Sequence, residues 1–531
     1  MDTPHITQDE ADAAADLVTT ITAILTENCP DRLPMCQKII SSRVQPQHLS
    51  ENQRQTIYQT IMPLLSHAEF WQTDWINAVF LSSIIQAFYD HMLGVQLYAY
   101  AMQKTTNLSY RSQLFYQIRV LPFLYGLNTG VLFPDLTFQH YQDWFGDVPA
   151  MPAIPPKRNR AVILLSQVLA PPHAPSVDAI AKCKILEDVF GYDVVILNTC
   201  ESPQRIEIPI VGAKYANRHP QLNGYQITED GCAIFTPACA MPSKEGYKII
   251  ADFVAGWQPA FILNFGACNL SAEYLGQSTK VITMPAGIEL LPTRNSYASV
   301  TFRPLTEQDH AMISRCGMQN VKIIETLYNY DKPAVSAAYQ RADFNLTSTD
   351  FVITIVGVRL TEEMTPDNIA LLQRVLAIAP QIKIIFLGKI TPGAQAEIEH
   401  QLGADRTRFP GFLSDVPAFY EQIADLYLNP RRIGGGTSGV HALAFGVPAF
   451  TLAHGHVASL THPDFVFADE DALLAAIGEA LTPSGHAALR TKALEGFARV
   501  GSRERMLRAI LEGADVPTDV RQPEPSAKTL S

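Results

Sequence analysis

The hydrophobic pattern of the chain changes near residue 156. From about residue 8 to 145, apolar and aromatic positions recur with helical spacing, as in WINAVFLSSIIQAFYDHMLGVQLYAYAM (75–102). Four prolines then fall within VPAMPAIPPKRNR (148–160). The pattern predicts an all-α domain over residues 1–150, followed by a linker and a new domain.

Short apolar runs alternate with helical segments after the linker. The runs of the first series are AVILLSQV (161–168), DVVILN (193–198), PAFILNFG (259–266) and KVITMP (280–285). Continuous apolar runs of this length are typical of parallel strands that are covered by helices on both faces. They predict a Rossmann-like domain over 156–340, in which the segment 201–245 stays unassigned.

A second series repeats this architecture. Its runs are FVITIVG (351–357), KIIFLG (383–388), DLYLNP (425–430) and PAFTLA (448–453). We therefore predict an α/β fold with two doubly wound Rossmann-like domains, the second over 341–515, and a disordered tail over 516–531. Ligands of such sheets bind outside the carboxyl ends of the strands, so the cleft between the two domains is the expected site.

Composition and charge exclude several classes of protein. The 531 residues carry a formal net charge of −12 and no basic cluster, which argues against a nucleic-acid partner. The eight cysteines lack zinc-type spacing, so we expect reduced structural thiols and no metal. The acidic N-terminus does not resemble a signal peptide, and Asp90 and His91 interrupt the most apolar stretch. A cytoplasmic protein without a transmembrane segment is expected.

A glycine-rich segment, NPRRIGGGTSGVHALAFGVP (429–448), joins a strand-like run to a helix-like run. Gly434, Gly435 and Gly436 would allow the backbone to approach a phosphate, and Thr437 or Ser438 would cap the helix or donate a hydroxyl. Free N–H groups at a helix N-terminus favour a diphosphate. Dinucleotide and P-loop spacings are absent. The alternative is a plain turn before a helix.

Four segments in register resemble the nucleotide-sugar domain of GT-B glycosyltransferases. They are VGVRL, FLGK, FPGFLSDVPAFYEQIADLYLNP and GGGTSGVHALAFGVPAFTL. The resemblance implies that the glycine loop binds the diphosphate of a sugar donor, most commonly a UDP-sugar, and that Phe412 lies beside the nucleobase. It also implies a metal-independent transferase whose nucleotide-sugar is a substrate, with no separate cofactor.

The same resemblance suggests two cations for the donor phosphates. Arg359 corresponds to the arginine of the family's "GRL" motif, which faces the phosphates and would offset the charge of the leaving group. Lys389, after the second strand of this domain, either acts similarly or is a solvated surface lysine.

The chain also departs from many retaining members of the family. Ile433 and His441 stand where those members carry two glutamates, and Met364 stands where they carry a lysine. His441 either donates to a ribose hydroxyl or is a packed histidine. Ribose recognition is therefore arranged differently, or the activity is lost.

The loop LAPPHAPSVDAI (169–180) follows the first strand of the other domain and carries His173. A histidine near neutrality is suited to act as a general base or hydrogen-bond donor for the acceptor. Alternatively, the prolines merely stiffen a surface turn.

These features predict a glycosyltransferase that passes a sugar to an acceptor, either a protein or a precursor of a surface polysaccharide. An α-domain before a GT-B pair resembles soluble bacterial enzymes that glycosylate adhesins, and it would bind the acceptor or support a homo- or hetero-oligomer. The alternatives are a degenerate partner or chaperone of an active enzyme and a nucleotide-sugar 2-epimerase. We expect Gly435→Val to block donor binding without unfolding the chain.

Overall fold

The computed structural model describes residues 74–86, 91–125, 132–169, 173–203, 206–208, 224–227, 231–266 and 269–521, together with scattered residues before 74. Most of the predicted N-terminal helical region before residue 74 and the last ten residues, 522–531, lie outside the described residues.

The described part of the region before the linker is mainly helical. Its longer helices are α1 (Trp75–Gln86), α2 (His91–Lys104), α3 (Leu108–Tyr125) and α4 (Leu132–Phe145). Aromatic side chains at the end of α4 join the core of the following domain, where Trp144 and Phe145 share a cluster with Val162 and Leu164. The helical region therefore packs directly against the first sheet. Among the described helices, none is long and apolar enough to cross a bilayer.

The first α/β domain follows the linker. Its elements are β1 (Lys157–Leu165), α5 (Ala174–Asp188), β2 (Asp193–Asn198), β3 (Gly224–Ile227), β4 (Ala233–Thr236), α6 (Lys244–Trp257), β5 (Pro259–Phe265), α7 (Leu270–Leu275), β6 (Val281–Met284), β7 (Ala298–Thr301), α8 (Glu307–Cys316) and β8 (Lys322–Glu325). Within the described residues the strand order is β3-β4-β2-β1-β5-β6-β7-β8. Every pair is parallel except β3 with β4.

The second α/β domain repeats this design. After a 3₁₀ turn at Arg341–Phe344, its elements are β9 (Phe351–Gly357), α9 (Leu360–Glu363), α10 (Pro366–Ile378), β10 (Ile382–Gly388), α11 (Pro392–Leu402), β11 (Thr407–Gly411), α12 (Val416–Gln422), β12 (Leu426–Asn429), α13 (Gly436–Ala444), β13 (Ala449–Leu452), α14 (Gly455–Leu460), β14 (Val466–Phe467) and α15 (Glu470–Ala480). In the described part of the chain the order is β11-β10-β9-β12-β13-β14.

The predicted fold class is confirmed, and the strand orders locate the ligand crevices. In the second sheet the chain moves outward from β9 through β10 to β11, then returns to the other side of β9 with β12. The order reverses between β9 and β12, and in the first sheet it reverses between β1 and β5. Doubly wound sheets bind ligands at the carboxyl ends of the strands at such reversals.

The end of the chain differs from the predicted boundaries. Two helices follow α15, namely α16 (Pro483–Val500) and α17 (Arg503–Gly513). Leu507 and Ile510 of α17 lie in the core of the first sheet, although the sequence assigned them to the second domain. Val516 and Val520 are buried in the same core, so the predicted disorder from 516 is wrong as far as residue 521. An amphipathic helix does not reveal in its sequence which sheet it covers.

The two domains are joined where the chain crosses between them twice. Backbone hydrogen bonds link Tyr330 to Val500 and Ser502 at 2.8 and 3.0 Å. The Arg503 Nε atom donates to Asp178 Oδ1 of α5 at 2.9 Å, and its Nη1 atom donates to Asp331 Oδ2 at 3.0 Å. Since α5 begins directly after His173, these bonds anchor the helix that presents this histidine.

The packed segment after Asp515 can be tested by truncation. A chain that ends at Asp515 loses the buried side chains of Val516 and Val520 and the bond from Tyr192 Oη to the carbonyl of Pro517. We expect its free energy of unfolding in urea to fall by ~3–6 kcal/mol, because each of the two buried valines contributes ~1.5–3 kcal/mol. A chain that ends at Arg521 should match the full protein, and equal stability of both truncations would contradict the packing.

Candidate functional site

The glycine loop lies at the order reversal of the second sheet. It follows β12 and precedes α13, while Arg359 follows the neighbouring strand β9. Both therefore stand at the carboxyl ends of adjacent parallel strands, where the sequence predicted them. The loop and the arginine form one candidate site.

Gly435 gives the loop its shape. It is the N-cap residue of α13 and has a φ of +91°, which residues with a Cβ rarely adopt. A Cβ at this position would lie 2.6 Å from Tyr427 Oη and 2.7 Å from Asn429 Oδ1. The Tyr427 hydroxyl also donates to the carbonyl of Gly435 at 3.2 Å. The conformation of the loop favours glycine here, so, contrary to our expectation that Gly435→Val would spare the fold, this substitution should also destabilise it.

Gly434 faces the arginine of the neighbouring strand. A Cβ built on Gly434 would lie 3.1 Å from Arg359 Nη2, and its backbone φ is not positive. The guanidinium of Arg359 thus lies against the loop, with its side chain 28% exposed. An anion that binds the N–H groups of the loop would also meet this cation.

A carboxylate missed in the sequence analysis holds Arg359 in place. Glu363 Oε1 accepts from Arg359 Nη2 at 2.9 Å, and its Oε2 accepts from Arg432 Nε at 2.7 Å. Arg432 precedes the glycine loop and has only 2% of its side chain exposed. Its Nη2 atom also donates to the carbonyl of Val356 at 3.0 Å. One buried carboxylate therefore fixes both arginines beside the loop.

A signal for one of these residues was present in the sequence. Glu363 follows Arg359 by four residues, the spacing that brings side chains together on a helix. Arg432 gave no comparable signal, because its contact with Glu363 spans 69 residues.

Phe412 and Lys389 lie farther along the same sheet edge. Phe412 directly follows β11 and is 61% exposed. Lys389 directly follows β10, and its side chain is exposed. The strand order places both on the β10–β11 side of Arg359, whereas the glycine loop lies on the β12 side. The same sheet edge therefore offers a cation and an open aromatic ring beyond Arg359.

The first turns of α13 face the crossing point between the domains. The ring of His441 meets the ring of Tyr330 edge-on, with centroids 6.4 Å apart. Burial and the nearby Arg503 cation lower the pKa of His441 to about 4, so the ring is neutral at pH 7. The side chain of Thr437 approaches Tyr330, and that of Ser438 approaches the buried Tyr420. For His441 this geometry favours the packed-histidine alternative over a ribose contact.

His173 lies at the order reversal of the first sheet, after β1. It is the N-cap residue of α5, and its Nδ1 atom lies 2.7 Å from Ser176 Oγ. Burial lowers the pKa of His173, so the imidazole is neutral at neutral pH. A neutral, oriented imidazole is the form that accepts a proton.

One group of metal-type ligands occurs among the described residues. The ligand atoms of Cys183, Glu187 and Cys232 lie within 4.8 Å of one another. Cys183 and Glu187 lie in α5 and Cys232 directly precedes β4, so none of the three stands at a carboxyl strand end. Hydrogen bonding to Cys232 and burial raise the pKa of the Cys183 thiol, which favours the protonated form over a metal-binding thiolate. We assign this group no role in the candidate site.

Comparison with known proteins supports the fold. No family model and no curated protein matched the sequence. Among solved structures, a mutant of the Thermobaculum terrenum O-GlcNAc transferase is similar over 97% of this chain and 98% of its own, with 13% identity and a TM-score of 0.55.

Two further solved structures match a smaller part of this chain. A glycosyltransferase from Rickettsia africae ESF-5 covers 67% of this chain and 99% of its own, with 11% identity and a TM-score of 0.49. WaaG, a glycosyltransferase involved in lipopolysaccharide biosynthesis, covers the same shares at 13% identity and a TM-score of 0.43. The chain has the GT-B fold of glycosyltransferases.

Two glycine substitutions test the described shape of the loop through their effects on stability. Gly435→Ala should lower the free energy of unfolding by more than ~1 kcal/mol, because of its positive φ and the clash with Tyr427. Gly434→Ala should change the free energy of unfolding by less than ~0.5 kcal/mol, since its φ is not positive and only the end of the Arg359 side chain must move. Urea unfolding measures both. A fully stable Gly435→Ala variant would contradict the described loop.

Proposed function

We propose that the protein is a glycosyltransferase, in which the second α/β domain binds a nucleotide-diphospho-sugar and the first holds the acceptor. The observation that carries this proposal is the glycine loop at the β9–β12 reversal, with the Arg359 guanidinium lying against Gly434. Loop N–H groups and a fixed cation suit a diphosphate better than a carboxylate or a neutral ligand.

The proposed chemistry moves negative charge onto the diphosphate. When the bond between the anomeric carbon and the phosphate oxygen breaks, the bonding electron pair leaves with the nucleoside diphosphate. Arg359 and the loop N–H groups would stabilise that charge, which makes the proposed transfer independent of a metal. Lys389 would add a second cation at the same edge, and Phe412 would stack on the nucleobase.

The acceptor would bind at the carboxyl edge of the first sheet. His173 would take the proton from the acceptor nucleophile as the new bond to the anomeric carbon forms. The helical region packs on this domain through Trp144 and Phe145, and we propose that it contributes to binding a large acceptor. We propose a protein or a surface polysaccharide precursor as the acceptor.

We propose to identify the donor sugar by direct binding measurements with a panel of nucleotide-sugars. UDP-sugars are our first choice. Because one protein that is similar over nearly the whole chain is an O-GlcNAc transferase, we propose to place UDP-N-acetylglucosamine first in a panel of UDP-, GDP-, ADP- and dTDP-sugars.

A degenerate partner of an active glycosyltransferase is the second candidate. It is favoured by the absence of acids at Ile433 and His441 and by the location of His441 at the crossing point. Turnover separates the two candidates, since an active enzyme should release nucleoside diphosphate slowly alone and faster with acceptor. A nucleotide-sugar 2-epimerase remains a lesser alternative and would convert the nucleotide-sugar into its 2-epimer without any acceptor.

Arg359→Met tests the donor site. Loss of a charged hydrogen-bond donor should weaken nucleotide-sugar binding about 10- to 100-fold by calorimetry. Arg374→Met is the matched control, because Arg374 lies in the same domain, is 45% exposed and pairs with Glu470. Equal binding by both folded variants would rule out the proposed phosphate contact.

His173→Ala tests the acceptor side. If His173 is the general base, the rate of sugar transfer should fall about 10²- to 10⁴-fold, while the Kd for the donor stays within about twofold. His310→Ala, which alters an exposed histidine of α8, serves as the control. A parallel loss of donor affinity, or an unchanged transfer rate, would argue against this role.

A further inference from the structure

The first domain brings a carboxylate to the glycine loop across the cleft. Glu289 follows β6, and its Oε1 atom lies 3.1 Å from His456 Nε2 of α14 in the second domain. The two residues are 167 positions apart in the chain. Glu289 therefore brings an acid from the first domain close to the glycine loop, whose flanking positions Ile433 and His441 carry no acid.

His456 is hydrogen-bonded to the start of the glycine loop and packs against it. Its backbone N–H donates to the carbonyl of Ile433 at 2.8 Å. A Cβ added to Gly436 would lie 3.2 Å from His456 Cβ, and one added to Gly287 would lie 3.2 Å from His456 Cε1. His456 thus lies between the glycine loop and the segment that carries Glu289.

The carboxylate of Glu289 is open to the cleft and remains charged. Its side chain is 53% exposed, whereas that of His456 is 14% exposed. Burial raises the pKa of Glu289, but the interaction with His456 and backbone hydrogen bonds, including that from Ile288 N–H to Glu289 Oε2 at 3.1 Å, outweigh this effect and lower the pKa. The group is therefore an ionised acceptor of hydrogen bonds at neutral pH.

The location of Glu289 suits one part of the donor. This step rests on the proposed function, in which the diphosphate lies on the glycine loop. The anomeric carbon must then face the first domain for transfer, so the sugar lies between the loop and the segment that carries Glu289. A carboxylate repels a diphosphate but accepts hydrogen bonds from neutral hydroxyl groups.

We propose that Glu289, oriented by His456, binds hydroxyl groups of the donor sugar and determines which sugar the protein accepts. The carboxylate of Glu363 in the second domain is engaged by Arg359 and Arg432, so the acid for the sugar hydroxyl groups would come from the first domain. Binding of the sugar would depend on both domains, whereas binding of the nucleoside diphosphate would depend mainly on the second.

Glu289→Gln separates the sugar from the nucleotide. The probes are the tightest-binding nucleotide-sugar of the panel and its nucleoside diphosphate, each titrated by calorimetry. We expect the variant to bind the nucleotide-sugar about tenfold more weakly, since one charged hydrogen bond is lost. Binding of the nucleoside diphosphate should stay equal or become tighter, because a negative charge near the phosphates is removed.

Glu325→Gln is the matched control, since Glu325 is an exposed glutamate at the carboxyl end of β8 in the same sheet. Thermal unfolding checks that both variants are folded. Equal weakening of both ligands by Glu289→Gln, or no weakening, would overturn the role of Glu289 while leaving the proposed function intact. If the unaltered protein binds the nucleoside diphosphate and no nucleotide-sugar, the proposed function itself fails, and this inference fails with it.

Discussion

The candidate site depends on one buried carboxylate that is shared by two arginines. Arg432 has almost no exposed side-chain surface, and a guanidinium in such a place is tolerated only when it is paired and hydrogen-bonded. Glu363 supplies the pair, and its second oxygen binds Arg359. The requirement to neutralise Arg432 therefore also fixes the cation that lies over the glycine loop. The ion pair that neutralises Arg432 in the domain interior therefore also positions the candidate site.

Parallel sheet topology brings these parts together. Because all strands of the second sheet run in one direction, the residues that follow β9, β10, β11 and β12 share one edge. The reversal between β9 and β12 leaves space there for a ligand. The first sheet repeats the arrangement with His173 after β1. The two chain crossings at Tyr330 and Gly501, reinforced by Arg503, connect the domains, and the contact of His456 with Glu289 closes part of the cleft.

The sequence revealed most of the strands and much of the site. Runs such as FVITIVG and DVVILN are apolar throughout because both faces of a central parallel strand are buried, and such runs are recognisable without structural data. The loop glycines were found because they lie between one of these runs and a helical segment, whereas Arg359 and Phe412 were assigned from the resemblance to GT-B glycosyltransferases. Short strands such as β3 at Gly224–Ile227 lack this signature, since the strand is half exposed at the edge of the sheet. The contacts of Arg432 and Glu289 depend on residues far away in the chain, and local patterns carry no information about them. For the same reason, the packing of α17 on the first sheet was not predicted.

A structure of the protein with a bound nucleotide-sugar would test the central claim most directly. The account predicts that the diphosphate oxygens lie within hydrogen-bond distance of backbone N–H groups between Gly434 and Ser438 and of the Arg359 guanidinium. The sugar should extend towards the first domain. A nucleotide-sugar whose diphosphate lies elsewhere, with the glycine loop unoccupied and Arg359 bound only to Glu363, would contradict it.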